Sequence, residues 1–206
     1  MQAYITFFCQ LTIIPQEAVL WNLSIRENVD PTGSASDDDV WNALEEVNMK
    51  ANVKALDGGL EHTVAEGGAN FSVGQRQLFC IARALLRKPK VLVLDEATAS
   101  IDRETDRKVQ DIIRKSFKEC TLLVIAHRLN TIMDSSKILM LHDGEVAEFG
   151  PPLELMKDPN GKFTSLVNAT GAQTAQTLRK IATGELKVSE VDVDVDVGVE
   201  DEAGEE

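Results

Sequence analysis

Two carboxylates, Asp95 and Glu96, stand side by side directly after the unbroken apolar run Val91 to Leu94. Such a run reads as a parallel strand covered on both faces. The C-terminal ends of strands of this kind are where α/β proteins bind their ligands. Asp95 suits a hard cation such as Mg2+, which takes oxygen ligands directly or through water. Glu96 suits a general base that takes a proton from water. A second centre lies at Phe71 to Gln75. Ser72 is a good helix N-cap, and Gln75 three residues later completes a capping box. A hydroxyl and the backbone N–H groups of Ser72, Val73 and Gly74 at a helix start make a natural phosphate site. A third candidate is His127, which follows the apolar run Thr121 to Ala126. A single histidine is usually structural, but this one falls at the strand edge where ligands bind.

These groups need elements to hold them. Leu78, Ile81, Ala82, Leu85 and Leu86 recur at helical spacing after Ser72. Lys88-Pro89-Lys90 stops that helix, since proline cannot continue it. Upstream, Leu11 to Ile14 reads as a short strand ended by Pro15-Gln16. Asp30 to Ser36 is a loop rich in Pro, Gly, Ser and Asp. Ser36 then caps a helix with the stripe Val40, Ala43, Leu44 and Val47. Asp37, Asp38 and Asp39 could be imagined as metal ligands, but the helix dipole alone accounts for them. Gly58-Gly59 and Gly67-Gly68 suit close backbone turns. Asp102 caps a further helix carrying Val109, Ile112, Ile113 and Phe117 on one face, its charges forming a solvated side. Lys137 to Phe149 reads as a hairpin on its Asp143-Gly144 signal. From Pro151 one or two short helices are expected. After Gly171 the periodicity fades, and the aspartates of VDVDVDV with the run to Glu206 argue for a disordered acidic tail rather than a strand.

The chain has 206 residues, enough for one domain with a real core, and a net charge of −13. Ten acids and one lysine between Glu185 and Glu206 carry −9 of that, which leaves −4 for the rest. No basic cluster stands out, so no nucleic-acid partner is expected. Cys9, Cys80 and Cys120 lie far apart with no metal-ligand spacing, which suits buried thiols in a reducing compartment. No run of about 20 apolar residues could span a membrane, and no convincing secretory signal opens the chain.

The stretch FSVGQRQ resembles the signature motif, usually LSGGQ, of the ATP-binding cassette (ABC) family. VLVLDEATA resembles its Walker B strand with the catalytic glutamate, and Ser100-Ile101-Asp102 resembles its D-loop. In this order, one helix apart, they form a specific signal. Phe71, Val73 and the flanking NFS and QRQL are similar to the second nucleotide-binding domain of the C subfamily, the multidrug-resistance-associated transporters. Gln16 matches the glutamine of the Q-loop, LWNLSIRENVDP the sequence after it, and AHRLNTIMDS the H-loop. The resemblance covers Leu11 to about Gly171. The chain departs from it at Met1 to Gln10. A full cassette carries, before the Q-loop, a strand and the phosphate-binding loop G-x-x-x-x-G-K-[ST] (Walker A). The only Gly-Lys pair here, Gly161-Lys162, is followed by Phe163 and has Met156 in place of the first glycine.

The resemblance implies an α/β P-loop NTPase-type cassette fragment. It has a mostly parallel sheet, flanking helices and a small helical subdomain at about 30–70, but lacks the Walker A strand and loop. The expected organisation is a non-family segment 1–10, a partial nucleotide-binding domain 11–171 and the tail 172–206. The implied cofactors are ATP and Mg2+. Asp95 and Gln16 would serve the metal, Glu96, His127 and Gln16 catalysis, and Ser72, Val73, Gly74 and Gln75 the ATP bound by a partner cassette. Ser100 and Asp102 would face that second cassette. The implied role is ATP-driven export of organic anions or conjugates, at the cytoplasmic face of a membrane, together with transmembrane domains. Two alternatives stay open. One is a non-catalytic interaction module that donates its signature to a partner and binds something basic through its tail. The other is a DNA-repair or chromosome-type ABC ATPase, disfavoured because Glu17 to Asn70 holds no sustained heptads.

Overall fold

A computed structural model describes residues 10–95, 103–126 and 128–188, without the side chains of 103–107. The chain divides into two units, Met1–Ile125 and Ala126–Glu206. In the first, β1 (Leu11–Ile14), β2 (Val91–Asp95) and β3 (Thr121–Ile125) form a parallel sheet in that order. Between β1 and β2 run α1 (Ile25–Val29), α2 (Asp37–Glu46), α3 (Lys50–Lys54) and α4 (Val73–Arg87). Between β2 and β3 runs α5 (Arg103–Ser116). Both crossovers step the same way across the sheet, and right-handed crossovers of that kind place their helices on one face.

The side chains follow this rule. Ile14, Leu92 and Leu94 are buried and share one core with Phe79 and Ile81 of α4 and with Val109 and Ile113 of α5. The alternate residues Ile13, Leu123 and Ile125 are 58%, 52% and 49% exposed. The expectation that these strands are covered on both faces is therefore corrected. Among the described residues, one face is covered.

α4 starts as its sequence predicts. The Ser72 hydroxyl accepts from the Gln75 N–H at 3.2 Å, and the Gln75 side chain accepts from the Ser72 N–H at 3.0 Å. It ends at Lys88 in the left-handed region, φ 47°, immediately before Pro89. Its buried surface is wider than the predicted stripe. Phe79, Cys80 and Ala84 are buried, whereas Leu78, Leu85 and Leu86 are only half-buried. The reason is packing on two sides, since α4 contacts β1 as well as α1 and α2. α2 has the capping box on Ser36, closed by Asp39, and buries Val40, Ala43, Leu44 and Val47 as expected. α5 buries Val109, Ile112 and Ile113, with Phe117 just beyond it.

The second unit holds α6 (Leu129–Ile132), the antiparallel pair β4 (Ile138–His142) and β5 (Glu145–Gly150), α7 (Pro152–Leu155) and α8 (Lys162–Ala169). The hairpin turns at Asp143 and Gly144, both with positive φ, as Asp-Gly allows. One further helix, α9 (Ala172–Ala182), overturns the reading that regular structure ends at Gly171. Ala175, Leu178 and Ile181 of α9 are buried with Leu129, Met133, Phe163 and Val167 in this unit's core. Residues 172–182, expected within the tail, are thus helical, and residues 189–206 lie outside the described part. No helix among the described residues is long and apolar enough to cross a membrane.

Candidate functional site

The start of α4 is exposed at Ser72 and Val73 and buried at Gly74. Its first-turn N–H groups have no carbonyl four residues back in the helix to bond. With the positive end of the helix dipole they form an anion-attracting surface. The approach to this turn is fixed from several sides. Asn70 accepts from the Ala65 N–H at 3.0 Å and donates to the Thr63 carbonyl at 3.2 Å. Phe71 packs edge-on against Phe79, ring centres 5.0 Å apart. Arg76 donates to the Gly67 carbonyl at 2.9 Å. Gly68 has φ +73°, which favours glycine, and a Cβ there would stand 2.7 Å from the Arg76 Cδ, so the arginine stem would have to shift.

The second cluster is at the sheet edge. Ile14 pairs with Leu94, so Pro15-Gln16 leaves β1 beside Asp95 at the C-terminal end of β2. Both Gln16 and Asp95 are exposed. The structure therefore brings Gln16 and Asp95 to one edge and puts Ser72 to Gln75 at the head of the adjoining helix. Glu96, Ser100, Asp102 and His127 lie outside the described residues. No group of three or more His, Cys, Asp or Glu that could hold a metal occurs among the described residues. Asp95 and the Gln16 amide oxygen are oxygen donors of the kind Mg2+ takes. That ion commonly uses one or two carboxylates plus substrate phosphates and water. The donor set fits a metal that arrives with a nucleotide.

Four residues that sequence reasoning passed over hold the segment after Ile14 in place, one of them beside Gln16. Gln77, buried, reaches the Pro15 carbonyl at 3.5 Å. Arg83 stacks on Trp21 and hydrogen-bonds the Asn28 carbonyl. Burial lowers the Arg83 pKa from its ordinary value. Asn28, buried, binds the Trp21 backbone through both amide atoms. The available signal was a glutamine and an arginine on the faces of an otherwise apolar helix. The two described cysteines are free thiols. Burial raises the pKa of both, and Cys120 donates to the Pro89 carbonyl.

The ABC transporter family model matches residues 7–99. ABC transporter C family member 3 of Dictyostelium discoideum is 51% identical over 172 residues, 84% of this chain and 12% of its own length. The chain belongs to the ABC transporter family. Human ATP-binding cassette sub-family C member 2 is 48% identical over 170 residues, 82% of this chain and 11% of its own. The structure of a bacterial Atm1-family ABC exporter with ATP bound superimposes with a TM-score of 0.70 at 33% identity. The match covers 80% of this chain and 29% of that one. The chain thus spans about an eighth of the C-family relatives it resembles, and its α/β architecture is that of an ABC cassette.

Proposed function

We propose that this chain is the C-terminal part of a C-subfamily nucleotide-binding domain, residues 11–171, and that it works with ATP and Mg2+ in ATP-driven export of organic anions or conjugates. The observation that carries the reading is the capped, exposed N-terminus of α4 beside the sheet edge that bears Gln16 and Asp95. At the Gln16 and Asp95 edge, a bound magnesium nucleotide would supply a phosphoanhydride to be cleaved. Asp95 and Gln16 would hold the metal through their side-chain oxygens. The Glu96 carboxylate accepts the proton of the attacking water, and His127 donates a hydrogen bond to the terminal phosphate. Ser72, Val73, Gly74 and Gln75 serve the nucleotide of a second, head-to-tail cassette, while Ser100 and Asp102 face that cassette. Transmembrane domains are the remaining partner, which places the chain at the cytoplasmic face of a membrane.

The test uses this chain fused behind the phosphate-loop segment of a C-family relative, with the partner cassette's own site inactivated. Glu96→Gln is expected to slow single-turnover hydrolysis about 10²–10⁴-fold, the usual cost of a lost general base, with binding little changed. Asp95→Asn is expected to lower metal-dependent binding as well as rate. Hydrolysis by Glu96→Gln at the parent rate would falsify the base assignment. A second reading is a non-catalytic module that lends its signature to a partner's ATP through the same exposed, capped start of α4. Such a module would support hydrolysis by a complete partner cassette while Glu96→Gln changed nothing.

A further inference from the structure

Pro15 to Leu23 forms neither helix nor strand, yet it links the Gln16 edge to α1. Its apolar side chains do little to anchor it. Leu20 is buried, but Val19, Trp21 and Leu23 are 52%, 43% and 44% exposed. The Val64 N–H holds the Leu23 carbonyl at 2.9 Å, and side-chain ties to α4 and α1 hold the part between Pro15 and Trp21. The Arg83 guanidinium carbon lies 4.4 Å from the centre of the Trp21 ring. Its Nε donates to the Asn28 carbonyl at 2.9 Å, and Nη2 donates to the Val19 carbonyl at 3.3 Å. Asn28 closes the arrangement, accepting from the Trp21 N–H at 2.8 Å and donating to the Trp21 carbonyl at 2.9 Å. Nearer the head of α4, Gln77 holds the Pro15 carbonyl at 3.5 Å, next to Gln16. Stacking and two hydrogen bonds at once are what a planar guanidinium provides and an ammonium does not.

We propose that Arg83 is a positioning residue that clasps Pro15 to Leu23 onto α4, so that Gln16 and the Ser72 helix start move as one body. The catalytic meaning of this clasp rests on the nucleotide-site reading above. The clasp itself is mechanical and is tested without nucleotide, so the failure of one is distinguishable from the failure of the other.

The experiment is amide exchange and backbone NMR on the full 206-residue chain, wild type against Arg83→Lys, Trp21→Leu and the double variant. Trp21→Leu changes a half-exposed ring, so it keeps the fold if Arg83→Lys does not. The Trp21 and Leu23 amides are expected to exchange about tenfold faster, the scale of one partly desolvated cation–aromatic contact. The amides of β2 and mid-α4 should keep their rates. The Ser72 to Gln75 signals should shift in each single variant, and the double variant should add little, as coupled residues do. The proposal is overturned if Trp21 and Leu23 exchange no faster in Trp21→Leu. It is also overturned if the Ser72 to Gln75 signals stay in place, since a residue that only stabilises the fold would leave them there.

Discussion

Asp30 shows how one side chain can order a whole loop. It is buried at the end of α1. Burial by itself would raise its pKa. The Ala35 N–H at 2.8 Å, the Thr32 hydroxyl at 2.7 Å and Arg26 hold it below the ordinary carboxylate value. A depressed native pKa stabilises the fold fully above the unfolded value, about 3.9. That contribution is lost as pH falls through the native pKa. Asp30→Asn should therefore cost roughly 1.5–3 kcal/mol at pH 7, the worth of hydrogen bonds to a charged group. The gap to wild type should close on acidification. Urea titrations between pH 7 and strongly acidic pH check this, and a gap independent of pH would refute it. The aspartate's role was not legible in the sequence, where Asp30 to Ser36 read simply as a loop. Ser36 and Ser72 were legible because a capping box is local, with its partner three residues away. Arg83 and Gln77 were not, because their partners lie 55 to 64 residues away along the chain.

At the scale of elements, α8 is the case of a helix capped from outside its own sequence. Gly161 at its N-cap has no side chain to offer. The Glu148 carboxylate, on β5, accepts from the Lys162 N–H at 2.6 Å and the Phe163 N–H at 3.1 Å instead. Glu148→Ala should then cost about 1 kcal/mol, as a lost cap does. Chemical denaturation of the chain would measure this, and an unchanged midpoint would show the cap to be idle. The same locality explains α9. AQTAQTLRKIA shows few strong apolar residues, and its buried Ala175 does not announce itself in a polar stretch. Only the Phe163 and Leu129 side of the core reveals what Leu178 and Ile181 face. β1 and β2 were readable as bare apolar runs. Their one-sided burial was not, because it depends on which way both crossovers turn.

For the whole molecule, the first unit joins an anion-attracting helix start and two oxygen donors on one body. The phosphate cradle that usually dominates nucleotide affinity has no counterpart in the 206 residues. Mg-ATP titrated calorimetrically into the chain should give weak binding. Submicromolar affinity would mean that another segment supplies the cradle. The stretches around Gln16, Ser72 and Asp95 were legible because they resemble motifs of known cassettes, and that resemblance, not spacing, pointed to the family. The coupling between them came from long-range side-chain contacts that no local pattern encodes.

The pairing of β1 with β2 has a consequence for how the protein is made. Leu11 sits opposite Val91, although the whole of α1 to α4 lies between them in the chain. A ribosome adds about 5–20 residues per second, so the first strand waits roughly 4–16 s after its own synthesis before its partner exists. During that interval Leu11, Ile13 and Ile14 are an unpaired apolar segment, while the capped helices that follow can form from their own sequence. Elongation speed across α1 to α4 therefore sets how long this strand stays open to wrong partners. A slower message would lengthen that exposure without changing a single residue of the finished protein.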